Sequence, residues 1–235
     1  MTATARLREL AERHALSRPT TVALERLLAL IAADASAPTA VRDPAAAVDT
    51  HVADALVALE IGRVRDARRI ADLGSGGGFP GLVLAAALPA ANVALVEANR
   101  RKCAFLERAT AEMGLANVEV VPQRAEAWKA GIGTRDLATA RAVAPLAVLV
   151  EYAAPLLAAG GALVAWKGRR DDAEEAAGVA AAAQTGLELA EVLPVQPWDG
   201  AEHLHLHLYV KVASTPQRFP RRPGTARKRP LTASG

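Results

Sequence analysis

The stretch IADLGSGGGFPG (residues 70–81) joins a short apolar run to the start of a second apolar segment. Five of its last eight positions are glycine, and Pro80 stands where the first turn of a helix tolerates proline. Glycine has no Cβ, so the backbone can turn sharply there and approach a ligand closely. The stretch therefore predicts a strand, a tight ligand-binding turn and a helix.

The rest of the chain supports an α/β fold around this turn. From residue 69 onward, short apolar runs alternate with helical stretches, which predicts a mostly parallel sheet with helices on both faces. The last two apolar runs, ELAEVLPV and HLHLHLYVKV, lie close together with no clear helix between them. We expect them to form an antiparallel pair at one edge of the sheet.

Three regions follow from the patterning. Residues 1–60 carry amphipathic helical spacing and are expected to form a helical extension that packs on the α/β body. Residues 61–213 form the predicted cofactor-binding domain, and residues 214–235 form a basic tail that we expect to be extended.

Composition excludes several classes of protein. Apolar residues make up 51% of the chain, so a sizeable core can form, whereas aromatic residues make up only 3%, which disfavours a base-stacking platform. Cys103 is the single cysteine, so a disulfide framework and a cysteine-based zinc site are excluded. No apolar run approaches the roughly 20 residues of a membrane span, and the N-terminal residues have no apolar signal core. We expect a cytoplasmic protein with no membrane partner.

The glycine turn leaves two cofactors open. Gly76, Gly78 and Gly81 match the G-x-G-x-x-G pattern, so a dinucleotide such as NAD is one alternative. Asp72 precedes the first glycine by two residues, which is unusual for a dinucleotide turn and suits a ligand with a positive charge. S-adenosylmethionine is such a ligand, because it carries a sulfonium and an ammonium and no pyrophosphate.

Further polar residues follow the predicted strands. Glu97 ends the second strand, 23 residues after Gly74, where a carboxylate can accept both ribose hydroxyls of either cofactor. Glu126 follows the third strand, where an adenine would lie, and Arg141 and Lys167 stand at the exits of two later strands. Ligands of open α/β sheets lie outside the carboxyl ends of the strands, so these residues mark one rim. A surface ion pair is the alternative for each of the two cations.

Histidines in two places invite interpretation. His203, His205 and His207 alternate along the last strand, so they share one face and present three imidazoles that zinc accepts. We favour instead a solvent-facing side of an edge strand, with the intervening leucines facing the core, and predict no metal site. His51 and Asp54 are three residues apart and share a helix face, where a capping or packing role is one interpretation.

The tail concentrates positive charge. Six basic residues and no acid lie between positions 218 and 229, whereas the rest of the chain has 22 basic and 25 acidic residues. Such a tail favours a polyanion partner, with a solvated terminus as the alternative. The six are Arg218, Arg221, Arg222, Arg227, Lys228 and Arg229.

Six segments in this order resemble the bacterial family that methylates a guanine N7 of small-subunit (16S) ribosomal RNA, also called the glucose-inhibited division protein B family. They are HVADAL, ADLGSGGGFPG, LVEANRRKCAFLE, TARAVAPL, ALVAWKG and FPRRPGTARKRPL. The resemblance implies a Rossmann-like class I methyltransferase fold, S-adenosylmethionine as the cofactor, and ribosomal RNA or a ribosomal particle as the partner of a chain we expect to be monomeric.

The resemblance also implies a set of cofactor contacts, to which the turn itself adds Asp72, Gly76 and Gly78. The implied contacts are Gly74, Phe79, Glu97, Ala98, Asn99, Ala125, Glu126 and Arg141. Guanine N7 has a free lone pair, so no general base is required; Arg141 and Lys167 are the candidates for contact with the target base or its phosphate. The six basic tail residues are the expected RNA contacts. An NAD-dependent oxidoreductase and a non-catalytic RNA-binding or ribosome-assembly module remain the alternatives.

Overall fold

Seven strands form one sheet at the centre of the computed structural model, which describes residues 2–232. They are β1 (Arg69–Leu73), β2 (Asn92–Val96), β3 (Val118–Val121), β4 (Arg135–Arg141), β5 (Leu157–Lys167), β6 (Leu187–Val195) and β7 (Leu204–Lys211). Their order is β3-β2-β1-β4-β5-β7-β6. The first five strands are mutually parallel, and β7 is antiparallel to both β5 and β6. The predicted mostly parallel α/β sheet is confirmed.

Helices cover both faces of the sheet. They are α1 (Ala3–Arg13), α2 (Arg18–Ala33), α3 (Pro44–Ala47), α4 (Asp54–Leu56), α5 (Gly62–Arg65), α6 (Gly81–Ala87), α7 (Arg100–Met113), α8 (Leu146–Ala153), α9 (Asp172–Thr185) and α10 (Thr225–Lys228). A π-helical turn (Val48–Ala53) joins α3 to α4, and a 3-10 turn (Val57–Glu60) continues α4. Residues 44–60 are therefore one continuous helical segment within the predicted helical extension.

The N-terminal helices share a core with the sheet. The Ser17 hydroxyl caps α2 by accepting a hydrogen bond from the Thr20 amide, and Leu24, Leu27 and Ile31 on that helix are fully buried. These leucines belong to the same buried cluster as Val93 on β2. The helical extension thus packs on the α/β body as expected. The boundaries at residues 60 and 213 stay predictions.

The antiparallel pair lies at one end of the sheet, but β7 is not the edge strand. The edge position belongs to β6, so β7 is paired on both sides. The prediction that all three alternate histidines face solvent is wrong for His207, which is 1% exposed and whose Nε2 lies 3.2 Å from Glu175 Oε1 on α9. Leu206 and Leu208 face the core on the opposite side, as expected. Within residues 2–232, no group of three or more His, Cys, Asp or Glu side chains is placed to hold a metal ion.

The basic tail is folded onto the body rather than extended, contrary to expectation. Phe219 and Ala226 are buried, and residues Thr225–Lys228 form the short helix α10. The last three residues of the predicted tail (233–235), like residue 1 of the predicted helical extension, lie outside the described residues. Across the part of the chain that the structure describes, no helix combines the length and apolar character needed to cross a membrane.

Gly81 allows α6 to pack closely on β1 and β2. A Cβ at this position would lie 2.4 Å from Leu95 Cδ2 and 2.7 Å from Asp72 Oδ2, closer than real Cβ contacts. We expect Gly81→Ala to lower the free energy of unfolding by about 1–3 kcal/mol, because the overpacked helix must shift. Urea unfolding followed by circular dichroism measures this change.

Gly168→Ala is the matched control, since a Cβ there has no atom within 4 Å and the backbone is not left-handed. Equal stability of the two variants would contradict the packing role of Gly81.

Candidate functional site

The glycine turn connects β1 to α6 through a left-handed backbone. Gly74, Gly76 and Gly78 have φ angles of +70°, +56° and +90°, which L side chains rarely adopt. A Cβ on Gly74 would also lie 2.8 Å from Val143 Cγ2, and one on Gly78 would lie 2.3 Å from Leu82 Cδ1. The turn therefore requires glycine at these positions for its shape and for its packing.

Most amide groups of the turn donate hydrogen bonds inside the protein. Two of them meet carboxylates: Gly76 N donates to Glu97 Oε2 at 3.1 Å, and Gly81 N donates to Asp72 Oδ2 at 3.3 Å. The amides of Gly74, Ser75, Gly78 and Leu82 donate to backbone carbonyls. The turn is thus held from within, and these amides are not directed at an external anion.

Asp72 lies beneath the turn. The side chain is 1% exposed, and its Oδ1 accepts a hydrogen bond of 2.9 Å from the Thr139 hydroxyl on β4. Burial raises the pKa of Asp72 to about 6, against the opposing effect of its hydrogen bonds to Thr139 and Gly81. The structure gives this carboxylate a role in holding the turn, and places it outside the cleft described below.

Glu97 follows β2 and faces the turn. Its Oε2 accepts from Gly76 and its Oε1 accepts from the Asn99 amide at 2.8 Å. Asn99 in turn caps α7, because its Oδ1 accepts from the Arg101 and Lys102 amides. Each carboxylate oxygen has a second lone pair, so Glu97 can accept further hydrogen bonds from a ligand.

A cleft of about 440 Å³ opens beside Glu97 at the carboxyl ends of the strands. Six residues that the sequence singled out line it together: Gly74, Glu97, Ala98, Asn99, Ala125 and Glu126. Asp72, Gly76, Gly78, Phe79 and Arg141 do not line it. Among the other lining residues, the sequence reasoning assigned Arg227 to RNA and gave no role to Gln123, Val143 and Tyr152. Of these, only Gln123 follows a predicted strand end, which is a pattern that would have indicated it.

Glu126 closes one end of this cleft. It lies on a 3-10 turn (Ala125–Ala127) after β3 and is 9% exposed. Its Oε1 accepts a hydrogen bond of 2.9 Å from the Gly224 amide, 98 residues further along the chain. The tail therefore reaches the cleft.

Arg141 ties the N-terminal helical segment to the end of β4. Its Nη1 donates to Asp54 Oδ2 at 2.7 Å and to the Thr50 carbonyl at 2.9 Å. The His51 ring stacks on Phe79 of the glycine turn, with 4.3 Å between ring centroids. The Arg141 guanidinium carbon lies 5.3 Å from the same Phe79 ring. The four side chains form one cluster, which links the helical extension to the glycine turn.

The protonation of His51 follows from its partners. Arginine only donates, so the His51 Nδ1 atom accepts a hydrogen bond from Arg141 Nη2 at 3.3 Å. The Nε2 atom therefore carries the proton and donates to the Thr39 hydroxyl at 2.8 Å. Burial and the nearby Arg141 charge lower the pKa of His51 to about 4. The ring is therefore neutral at pH 7 and does not serve as a cation there.

A second cavity of about 250 Å³ lies on the other side of Ala142 from the cleft. Asp54, Arg141 and Lys167 line it, and Ala142 lines both cavities. Ala142 has a φ of +55°, an uncommon value for a residue with a Cβ. Lys167 is partly neutralised by Glu174, whose Oε1 lies 2.5 Å from its Nζ. The two cavities are thus adjacent.

Comparisons with known proteins agree on one family. The family model described as rRNA small subunit methyltransferase G matches residues 24–198. A protein named ribosomal RNA small subunit methyltransferase G from Rubrobacter xylanophilus is 42% identical over 200 residues, which cover 83% of this chain and 77% of that protein. Its namesake from Chloroflexus aggregans is 41% identical over 82% of each chain.

Solved structures show the same fold at low sequence identity. A SAM-dependent methyltransferase from Aquifex aeolicus superposes with a TM-score of 0.57 at 16% identity, over 71% of this chain and 93% of that one. An O-methyltransferase from Thermotoga maritima gives a TM-score of 0.53 at 18% identity, over 70% and 66% of the two chains. The sheet and its helices therefore have the class I methyltransferase fold.

The buried carboxyl of Asp72 predicts a pH dependence of stability. Its pKa of about 6 exceeds the ordinary 3.8, so the folded state binds this proton more tightly than the unfolded chain does. The stabilisation is complete below about pH 3.8 and is lost as the pH rises through 6. Between pH 4 and pH 7 the wild type should lose up to about 3 kcal/mol of stability relative to Asp72→Asn.

Urea unfolding of both proteins at several pH values measures this difference. Asp199→Asn, at an exposed aspartate, should track the wild type at every pH. A difference between wild type and Asp72→Asn that does not change with pH would show that Asp72 titrates normally.

Proposed function

The chain belongs to the rRNA small subunit methyltransferase G family, which uses S-adenosylmethionine, and we propose that it methylates N7 of a guanine in small-subunit (16S) ribosomal RNA. The RNA substrate follows the names of its relatives. The choice of guanine N7 as the methylated atom rests on the resemblance of the six sequence segments to that family. The cleft and its neighbouring cavity supply the physical support.

One observation carries the choice of cofactor: the glycine turn is held by carboxylates. A dinucleotide turn offers its amides and a helix N-terminus to a pyrophosphate. Here the amides of Gly76 and Gly81 donate to Glu97 and Asp72, so an incoming pyrophosphate would meet occupied donors and nearby carboxylates. This arrangement disfavours an NAD-dependent oxidoreductase. It suits a cofactor that brings hydroxyl and amino donors and a positive charge.

The residues of the cleft fit S-adenosylmethionine. Glu97 offers lone pairs to the two ribose hydroxyls, and Glu126 offers its second oxygen to the exocyclic amine of adenine. The cleft volume of about 440 Å³ falls within the range of small-molecule sites. When bound, the cofactor supplies a methyl group on an electrophilic sulfonium.

The second cavity is proposed to receive the target guanine. It adjoins the cleft across Ala142, so a base held there lies beside the cofactor. Guanine N7 attacks through its own lone pair, and the protein contributes by orienting the base and excluding water. Methylation makes the base cationic, and because Asp54 pairs with Arg141 in the cavity lining, this pair adds no net positive charge against the product. Lys167 also lines the cavity and can donate to guanine O6.

Arg141 is proposed to position rather than to react. Both of its terminal nitrogens are engaged, with Asp54, the Thr50 carbonyl and His51. It holds Asp54 at the second cavity and Phe79 at the turn, so it fixes the two sites relative to each other.

Contact with RNA is proposed to depend on the exposed part of the tail. Arg218, Arg222, Arg227, Lys228 and Arg229 are exposed, whereas Arg221 pairs with the buried Glu151 carboxylate. The target base must leave its stack to reach a cavity of this size, so phosphate contacts by the exposed cations would hold the flanking strand. We further propose that a single chain in the cytoplasm is the working unit, because one chain builds both cavities.

Methyl transfer tests this function directly. The protein is incubated with S-[methyl-³H]adenosylmethionine and unmodified small-subunit RNA, either naked or in particles, and the labelled base is mapped. We expect label at the N7 position of a guanine in one of these substrates. Cofactor binding without transfer to either substrate would favour the alternative of a non-catalytic RNA-binding or assembly module.

Glu97 should determine cofactor affinity. Glu97→Gln keeps the size of the side chain but loses the charge that strengthens hydrogen bonds from the ribose hydroxyls. We expect the affinity for S-adenosylhomocysteine, measured by calorimetry, to fall by about 1–3 kcal/mol. Glu107→Gln, at an exposed glutamate of α7, should change it by less than about 0.5 kcal/mol. Equal affinities of the two variants would remove Glu97 from the site, and binding of NADH by the wild type would favour the oxidoreductase.

A further inference from the structure

Residues 219–229, here called the C-terminal strap, are anchored on the body at two ends. Near the start, Phe219 is buried and the Arg221 guanidinium makes a two-pronged contact with Glu151 on α8, with Nε 2.6 Å from Oε1. Glu151 is only 1% exposed, so its charge is buried and requires this partner. Further along, Ala226 is 2% exposed and packs in the cluster beneath α8. The strap is therefore a structural part of the fold.

Two strap residues reach the cofactor cleft from this anchored position. The Gly224 amide donates to Glu126 Oε1 at 2.9 Å, and Gly224 has a φ of +83°, which turns the chain at that point. Arg227 lines the cleft together with Tyr152, and its Nη2 donates to the Val143 carbonyl at 2.8 Å. Val143 also packs against the glycine turn, within 2.8 Å of where a Cβ on Gly74 would stand. The strap thus contacts two lining residues of the cleft, Glu126 and Val143.

We propose that the C-terminal strap is part of the cofactor site, with Arg227 as a binding residue and Gly224 as the group that orients Glu126. This inference rests on the proposed function, because it assigns the Glu126 end of the cleft to the adenine. Gly224 occupies one oxygen of Glu126 and leaves the other for the adenine amine. Arg227 presents a planar guanidinium, a group that stacks on flat ring systems such as a nucleobase.

The basic residues of the strap differ in their position relative to the cleft. Arg222, Arg227, Lys228 and Arg229 are all exposed, and among these four only Arg227 lines the cleft. A tail that only grips phosphates would use all of these cations alike. The structure instead places one of these exposed cations, Arg227, at the cleft.

Point variants separate these two roles. The affinities for S-adenosylhomocysteine and for 5′-methylthioadenosine, which lacks the amino-acid part, are measured by calorimetry on the full chain. Arg227→Ala should bind both ligands about tenfold more weakly, because the lost contact is at their common adenosine end. Lys228→Ala, the adjacent exposed cation, should bind both within about twofold of the wild type. Melting temperatures confirm that each variant is folded.

Trypsin gives a second measurement on the unaltered protein. The strap offers cleavable bonds after Arg227 and Lys228, and cleavage requires the strap to leave the body. Saturating S-adenosylhomocysteine should slow cleavage at these bonds several-fold relative to the ligand-free protein. This protection is measured on the wild type, so it does not depend on whether Arg227→Ala is less stable.

The outcomes are distinguishable. If the wild type fails to bind S-adenosylhomocysteine, the proposed function itself is overturned. If the wild type binds it but Arg227→Ala binds equally well and the ligand gives no protection from trypsin, only the role of the strap is overturned.

Discussion

Two carboxylates inside the glycine turn set the character of this site. Glu97 accepts from Gly76 and Asn99, and Asp72 accepts from Gly81 and Thr139. The hydrogen bonds of Glu97 join the turn to β2, and those of Asp72 join it to β4. The turn is therefore fixed between the strands on either side of β1. A turn held in this way presents acceptors to the cleft, and this selects a cofactor that brings donors.

The rest of the site is arranged around that turn by contacts between distant parts of the chain. Arg141 at the end of β4 holds Asp54 of the helical extension, and Phe79 of the turn stacks on His51 of the same extension. The extension therefore forms a wall of the second cavity as well as part of the core. The C-terminal strap contacts the cleft residue Glu126 through the Gly224 amide.

The local sequence pattern was sufficient to predict the glycine turn, the position of Glu97 after β2 and the edge of the sheet at which the cleft lies. Each depends on residues within one strand–turn–helix unit, whose geometry is nearly fixed by the right-handed parallel connection. It was not sufficient for the tail or for β7. The Gly224–Glu126 contact spans 98 residues and depends on how the chain returns after the last strand. The prediction for His207 was wrong because α9 covers that face of β7, where Glu175 contacts the imidazole.

A crystal structure of the complex with S-adenosylhomocysteine tests the central claim most directly. The account predicts that both ribose hydroxyls lie within hydrogen-bond distance of the Glu97 carboxylate while Gly76 and Asn99 still donate to it. It also predicts that Asp72 stays beneath the turn with Gly81 as its donor. A complex in which the turn has released these carboxylates and directs its amides at the ligand, or in which the ribose lies on another residue, would contradict the account.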